Sequence, residues 1–307
     1  MIAVRSLTKS FGDLRAVSSL DFDVRRGEIF GIVGPDGAGK STILRMLSTI
    51  LVPEEGNISI DGMDIFRNQN TVKEMIAYMP QRFGLYEDLT VEENIFFFGR
   101  LFGLKKKQIR ERLPVLYGFS SLGPFSDRLA GKLSGGMKQK LGLACCLVHR
   151  PRLILLDEPT NGVDPVSRRE FWKILYELLS DGVTIVVSTA YLDEAERCSR
   201  VALMYQGKFI RIGEPREVRM MIGEYLLEIL CDRPREAEEV LRTVKEYRKI
   251  IRSGESLRIF VGNAQRYKKA IESLLKAKGI TVREIRTIAP SLEDTFVEVI
   301  VREESLS

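Results

Sequence analysis

Apolar and polar positions alternate along IAVRSLTKSFG and SLDFDVRRGEIFGIVG, then merge into a continuous apolar run that stops at a glycine-rich turn. This predicts strands leading into a tight turn. KSTILRMLSTIL follows, placing Ile43, Leu44, Leu47, Ile50 and Leu51 at helical spacing, and Pro53 with Gly56 closes that helix. From about Thr90 to Arg150 the period is helical, broken by Gly and Pro in VEENIFFFGRLFGL and KKQIRERLPVLYGF. An inserted helical subdomain, carrying Phe96, Phe97 and Phe98, is the expectation. LILLDEP and VTIVVST are then short apolar runs separated by the helical stretch REFWKILYELLSDG. Runs of this kind are strands buried on both faces and joined by a crossover helix, so the core is α/β with a parallel sheet.

Beyond Pro215 the pattern changes. YLLEILC, PREAEEVLRTVKEY, KIIRS, SLRIFVG, NAQRYKKAIESLLKAKG and ITVREIRTI read strand, helix, strand, strand, helix, strand. That order predicts a small α+β domain on the ferredoxin-like, split βαβ plan over residues 216–307. SLEDTFVEVIVRE, after Pro290, predicts a last amphipathic helix.

Composition narrows this picture modestly. With 307 residues, 44% hydrophobic and 29% charged, the chain reads as globular, with room for one large and one smaller domain. The net charge of +5 is spread among intermixed acids and bases, so nucleic acid is not an expected partner. Of the four cysteines, Cys145, Cys146, Cys198 and Cys231, none forms a CxxC pair, which fits core positions in a reducing cytosol. No stretch approaches about 18 uninterrupted apolar residues. The expectation is a chain that is neither exported nor membrane-spanning.

Three motifs carry chemistry. GPDGAGKS, Gly34 to Ser41, matches the P-loop pattern, with a strand before it and a helix after it. Gly34, Pro35, Asp36, Gly37, Ala38 and Gly39 would curl the backbone so that its N–H groups surround phosphate oxygens, helped by the helix N-terminus. Lys40 would reach the β- and γ-phosphates, Ser41 would ligate Mg2+, and Thr42 would bond an α-phosphate oxygen. LILLDEPT ends a strand in Asp157 and Glu158, where a parallel sheet faces its ligand crevice. Asp157 would hold Mg2+ through water, and Glu158 would polarise the attacking water. LSGGMKQKL places Ser134, Gly135 and Gly136 to cap a helix, a second anion-binding terminus.

With these motifs in this order, the sequence resembles the ATP-binding cassette (ABC) ATPases from Ala3 to roughly Pro215. The resemblance implies a P-loop NTPase core with an antiparallel β subdomain and a helical subdomain at about 88–150, and ATP with Mg2+ as ligands. It gives Phe11 a place stacking on adenine and makes Gln81, in YMPQRFGLYEDLT, the residue that touches Mg2+ and water. Asp164, in NGVDP, would communicate across a dimer, with Val163 where the family more often has leucine. YMPQ, STAYLDEAE and PSLEDTFVEV look like the ATPase subunits of antibiotic and multidrug exporters, whose pore is a separate integral membrane permease. Two such ATPase subunits, identical or different, would sandwich each ATP between one phosphate loop and the other's LSGG helix. The chain would lie on the cytoplasmic face of the membrane, and its C-terminal domain would be accessory.

One departure stands out. In the family that the sequence resembles, the strand matching VTIVVST ends in a histidine that contacts the γ-phosphate, and Ala190 occupies that place here. Ser188 lies too far back along the strand to replace it, Thr189 points to the other side, and the sole histidine, His149, is expected at a surface or helix end. Asp36, where asparagine is usual, is a milder departure. Three readings stay open: a partner with a complete site, a slower homodimer relying on Glu158, or a loop shift that brings another donor. Chromosome-maintenance and translation-factor ABC proteins carry a long coiled coil or two cassettes, neither of which appears here. A purely regulatory nucleotide-gated subunit is the other class, favoured by Ala190 and opposed by Glu158.

Overall fold

The computed structural model describes residues 1–220, 225–244, 247, 250–296 and 300. The chain divides into two compact units, Met1–Glu214 and Pro215–Ser307.

In the first unit, β1 (Ile2–Phe11) and β2 (Leu14–Val24) lead to β3 (Ile29–Val33), α1 (Lys40–Leu47), β4 (Glu55–Ile60) and β5 (Met63–Asp64). Next come α2 (Gln69–Met75), β6 (Ile76–Met79), α3 (Val91–Leu101), α4 (Lys106–Ser120) and α5 (Gly135–Leu147). The unit closes with β7 (Leu153–Asp157), α6 (Pro165–Ser180), β8 (Thr184–Thr189), α7 (Leu192–Ala195), β9 (Arg200–Tyr205) and β10 (Lys208–Gly213). One sheet runs β2-β1-β4-β5 and is antiparallel. The other runs β10-β9-β3-β8-β7-β6 and is parallel except for its edge strand β10.

Every residue of β3, β7 and β8 is buried, which is why these strands read as unbroken apolar runs. The register pairs Val33 with Thr189 and Asp157 with Ser188, so β8 lies between the strand before the glycine-rich turn and the strand carrying the acidic pair. α1 packs into the space between the two sheets, where Ile43, Leu44 and Leu47 meet Leu7, Phe22 and Phe30. Burying three such side chains contributes on the order of 5 kcal/mol before entropy is counted.

Three local expectations are corrected. α1 ends at Leu47 rather than continuing to Leu51: Thr49 adopts a left-handed φ of 63°, and Ile50 is left 65% exposed. Gly99 lies inside α3 instead of breaking it, because a Cβ there would press on Ile109 of α4. Pro114 likewise sits within α4. The aromatic cluster on α3 joins Phe97 and Phe98 to Tyr86 and Phe83, with Phe97 4.4 Å from Tyr86 and Phe98 5.0 Å from Phe83.

The second unit opens with α8 (Pro215–Arg219) and follows with β11 (Tyr225–Cys231), α9 (Pro234–Arg242), β12 (Ile250–Ser253), β13 (Ser256–Val261), α10 (Ala264–Ala277) and β14 (Val282–Ile288). Its antiparallel sheet runs β12-β13-β11-β14. α9 stops at Arg242, short of the PREAEEVLRTVKEY run. The predicted last helix begins as expected over residues 292–296, and the remainder of it apart from residue 300 lies outside the described residues. Strand alternation turns Leu227 and Ile229 towards both helices and Leu226 to the other face, beside Phe260. Glu228 lies on β11 opposite Arg258 of β13 and Arg286 of β14. Its carboxylate accepts from Arg286 Nε at 2.7 Å, Ser256 Oγ at 3.3 Å and Arg258 Nε at 3.4 Å.

The Arg286 hydrogen bond holds the Glu228 carboxyl below the usual glutamate range, against the opposing effect of burial. A depressed folded pKa means the stabilisation is complete above the ordinary glutamate range and is lost as pH falls through the folded value. Glu228→Gln is expected to cost the second unit about 1 kcal/mol at neutral pH, since Arg286 is half exposed and the pair is partly screened. Hydrogen exchange of the β11 amides checks this: the variant should open more readily at pH 7, and the difference should vanish in acid.

Candidate active site

Two glycines of the turn after β3 stand where nothing larger fits. A Cβ on Gly34 would overlap the Met204 carbonyl, and one on Gly39 would overlap that of Ala16; Gly39 also has a φ of +110°. Gly34 N–H donates to the Thr189 carbonyl at 3.3 Å, and Gly207 N–H donates to that of Ala38 at 3.0 Å, so neighbouring strands pin the loop. Lys40 opens α1 with its side chain 97% buried, a burial a cation tolerates only with partners. Its ammonium donates to the carbonyls of Gly34 at 2.8 Å and Pro35 at 2.9 Å and lies 3.1 Å from Glu158 Oε1. Asp36 projects outward, 4.0 Å from the same ammonium.

Across the sheet, Asp157 is buried at the end of β7. Its Oδ1 accepts from Ser41 Oγ at 2.9 Å and Ser188 Oγ at 2.7 Å, and its Oδ2 accepts from Tyr78 OH at 3.3 Å. Burial first, and the Asp157 charge second, push the Tyr78 phenol up to about 12, so it stays a donor through neutral pH. A serine hydroxyl held against a carboxylate is an all-oxygen donor set, and it suits a hard cation such as Mg2+.

Glu158, the next residue, has a left-handed φ of 47°, a conformation a non-glycine residue adopts at a cost of about 1–3 kcal/mol. Ser188 holds it there, since Glu158 N–H donates to both the Ser188 carbonyl at 3.2 Å and its Oγ at 3.0 Å. Glu158 Oε2 accepts from Gln81 Nε2 at 3.0 Å and Asn161 Nδ2 at 3.2 Å. The structure therefore brings Lys40, Gln81 and Glu158 together around one carboxylate, with Ser41 and Asp157 beside them.

Ala190 follows β8 and faces a cavity of about 240 Å3 shared with Asp36, Glu158, Asn161 and Tyr191. The neighbouring hydroxyls are engaged elsewhere: Ser188 bonds Asp157, and Thr189 Oγ1 donates to Glu194 Oε2 at 2.7 Å. Tyr191, the residue after Ala190, lines the same cavity. Its hydroxyl lies 3.4 Å from Asn161 Oδ1, and its ring packs under the Arg168 guanidinium at 4.2 Å. Glu194, fully buried, receives both Thr189 and Thr160 and forms an ion pair with Arg168 at 3.6 Å.

Sequence reasoning missed Asn161, Tyr191, Glu194 and the double role of Ser188. Only Glu194 left a trace: with Ala195 and Cys198 it keeps buried helical spacing, an odd place for an acid.

The remaining expected residues stand apart from this cluster. Ser134 caps α5, accepting from Met137 N–H at 3.3 Å, and Gly136 meets α6 so closely that a Cβ would strike Ser167. Asp164 caps α6 through Val166 and Ser167 N–H, both at 3.0 Å, and the Ser167 bonds lower its carboxyl pKa. Phe11 ends β1 with its ring 49% exposed. His149 sits just past α5, as a helix-end residue, but is half-buried and stacks on Phe102 at 3.6 Å rather than facing solvent. Its Nε2 lies 3.0 Å from the Ile76 carbonyl, and burial lowers its pKa.

A family model described as ABC transporter matches residues 17–161. The chain is 41% identical, over 98% of its length, to the probable multidrug ABC transporter ATP-binding protein YbhF of Escherichia coli strain K12, and spans 52% of that protein. It therefore covers about half the length of that relative. Against the Nod factor export ATP-binding protein I of Rhizobium sp. strain N33 the identity is 36%, over 98% of this chain and 97% of the relative. Among solved structures, the dimeric post-hydrolysis state of the ATP-binding cassette MJ0796, bound to ADP and Pi, superimposes with a TM-score of 0.64 at 26% identity. That match covers 70% of this chain and 98% of the cassette.

Removing the buried carboxylate leaves two hydroxyls without their acceptor and takes the buried partner from Arg168, which keeps Asp193 at 3.7 Å, so Glu194→Ala is expected to cost about 2–3 kcal/mol. The single tryptophan, Trp172, is buried on α6 of the same unit. A urea titration followed by its fluorescence checks the loss.

Proposed function

We propose that this chain, which belongs to the ABC transporter ATP-binding family, binds and hydrolyses ATP in the site around Lys40 and thereby powers a membrane exporter. The observation that carries this reading is the Lys40 ammonium, buried and satisfied by two loop carbonyls and the Glu158 carboxylate. Phosphate oxygens are better partners for that ammonium than neutral carbonyls. On binding, the β- and γ-phosphates take Lys40, the loop N–H groups take further oxygens, Thr42 bonds an α-phosphate oxygen and Phe11 stacks on adenine. Ser41, Asp157 and Gln81 would hold Mg2+, which supplies charge neutralisation to the phosphates.

Losing Lys40 to the nucleotide frees Glu158 to accept a proton from the water that attacks the γ-phosphorus. Gln81 and Asn161 keep the carboxylate aimed, and its left-handed backbone sets it beyond the strand end. Ala190 offers no hydrogen bond to the γ-phosphate. A missing charge-assisted bond of about 1.5–3 kcal/mol slows turnover roughly 10- to 100-fold if it acts only in the transition state. The chain's own site is therefore slow.

Hydrolysis takes place in a dimer, in which Ser134, Gly135 and Gly136 of one subunit close over the ATP of the other and Asp164 lies at the junction. The dimeric, product-bound cassette structure and the exporter relatives support this reading. An integral membrane permease supplies the pore, and the chain docks on its cytoplasmic side; no helix among the described residues is long and apolar enough to cross a membrane. The unit from about 216 to 307, on the ferredoxin-like plan, is accessory. A second reading, favoured by Ala190, pairs this chain as a regulatory subunit with an ATPase whose site is complete.

Lys40→Ala is expected to weaken ATP binding at least tenfold in an anisotropy titration with a fluorescent ATP analogue; unchanged affinity would overturn the site. Ala190→His is expected to raise the steady-state ATPase rate of the purified chain about tenfold at saturating ATP. No increase, with ATP affinity retained, would show that the missing donor does not limit turnover and would remove the basis of the regulatory reading. Tyr191→Phe in each background separates the neighbouring phenol from the introduced imidazole. Its effect on the rate should be larger with alanine at position 190 than with histidine.

A further inference from the structure

A cavity of about 610 Å3 opens elsewhere in the first unit, between α4 on one side and the end of α6 with the start of β8 on the other. None of its lining residues belongs to the ATP site. Its volume lies within the roughly 300–1,000 Å3 that encloses drug-sized ligands. The walls are apolar where α4 contributes Val115, Leu116 and Phe119, and where α6 contributes Leu178.

The charges at this cavity are unbalanced. Arg112, Arg150 and Arg152 all line it, and among the described residues none has a carboxylate within salt-bridge distance; Arg26, also on the wall, is engaged by Asp61 at 2.8 Å. Glu177 and Asp181 are the acids of the lining, two against three unpaired cations. Arg112 is fixed by a hydrogen bond to the Val148 carbonyl. Burial, and next the neighbouring Arg150 charge, lower its pKa, as expected for guanidinium groups converging with no anion between them.

We propose that this cavity binds an amphipathic organic anion, with its acidic head group held by Arg112 and Arg150 and its apolar body against Val115, Leu116, Phe119 and Leu178. A planar guanidinium takes carboxylate, sulfonate or phosphate oxygens in the same forked geometry, so the head group is defined by charge rather than by element. An uncharged apolar ligand would gain the walls but leave the cations facing each other. A cationic amphiphile would add to their repulsion. Because α4 belongs to the inserted helices while Leu178 and the start of β8 belong to the sheet layer, an occupant ties the two together at the end of β8 remote from Thr189 and Ala190.

The test uses the full-length chain and two naphthalene probes that differ in charge, 1-anilinonaphthalene-8-sulfonate and the neutral N-phenyl-1-naphthylamine, titrated by fluorescence. The sulfonate is expected to saturate one site per chain and to be displaced by dodecanoate, with the neutral probe at least tenfold weaker. Arg150→Gln combined with Arg152→Gln, both exposed positions, should weaken the sulfonate at least tenfold and leave ATP affinity unchanged. Val115→Trp, at a residue 64% exposed on the cavity wall, should block binding without altering any charge. Equal binding of the two probes, sulfonate binding unchanged in these variants, or displacement by dodecylamine in preference to dodecanoate would each overturn the proposal. So would the absence of saturable binding.

Discussion

Asp157 is a buried carboxylate at the end of an apolar strand, and the arrangement of the site depends on how that charge is tolerated. Three hydroxyls from three elements converge on it: Ser41 from the start of α1, Ser188 from β8 and Tyr78 from β6. Each is a donor the carboxylate needs, and each ties another strand or helix to β7. Ser188 does more, because its carbonyl and its Oγ also receive the Glu158 N–H. The strained backbone at Glu158 is thereby held by the same residue that satisfies Asp157. The register that puts β8 between β3 and β7 is what makes this possible, since Asp157 pairs with Ser188 and Val33 with Thr189.

Much of this was legible in the chain. The unbroken apolar runs LILLD and TIVVST read as buried parallel strands, and the glycines of GPDGAGKS read as a turn in which the backbone can curl; that Gly34 and Gly39 are pressed against neighbouring backbone is seen only in the structure. The glycine-rich turn between β3 and α1, the acidic pair at the end of β7 and the Ser134 cap follow from local chemistry, and each has the local backbone geometry expected of it. Gly99 misled because its helical meaning is set by a partner: it is small to admit Ile109 of α4, not to end α3. α1 stops early for a related reason, since the left-handed Thr49 cannot be read from an apolar stripe.

The polar network behind the site was the least readable part. Glu194, Thr160 and Thr189 look like ordinary polar residues at a strand end and a short helix, yet they meet in the interior from positions up to 34 residues apart. Such a meeting is fixed by sheet order, and strand order is not encoded in any single strand. Asn161 and Tyr191 are in the same position. Their convergence on Glu158 and on the Ala190 cavity appears only when the loops after β7 and β8 lie side by side.

The first turn of α6 gathers contacts from three directions. Asp164 caps it, Ser167 is pressed against Gly136 of α5, and Arg168 covers Tyr191 and reaches Glu194. Three residues within this one turn, Asp164, Ser167 and Arg168, thus supply its cap, meet α5 and reach the loop holding Ala190. A single helical turn is thus shared between the LSGG helix and the loop after β8, so a bulkier side chain at position 167 would press on Gly136 one residue away from the Arg168 that covers Tyr191.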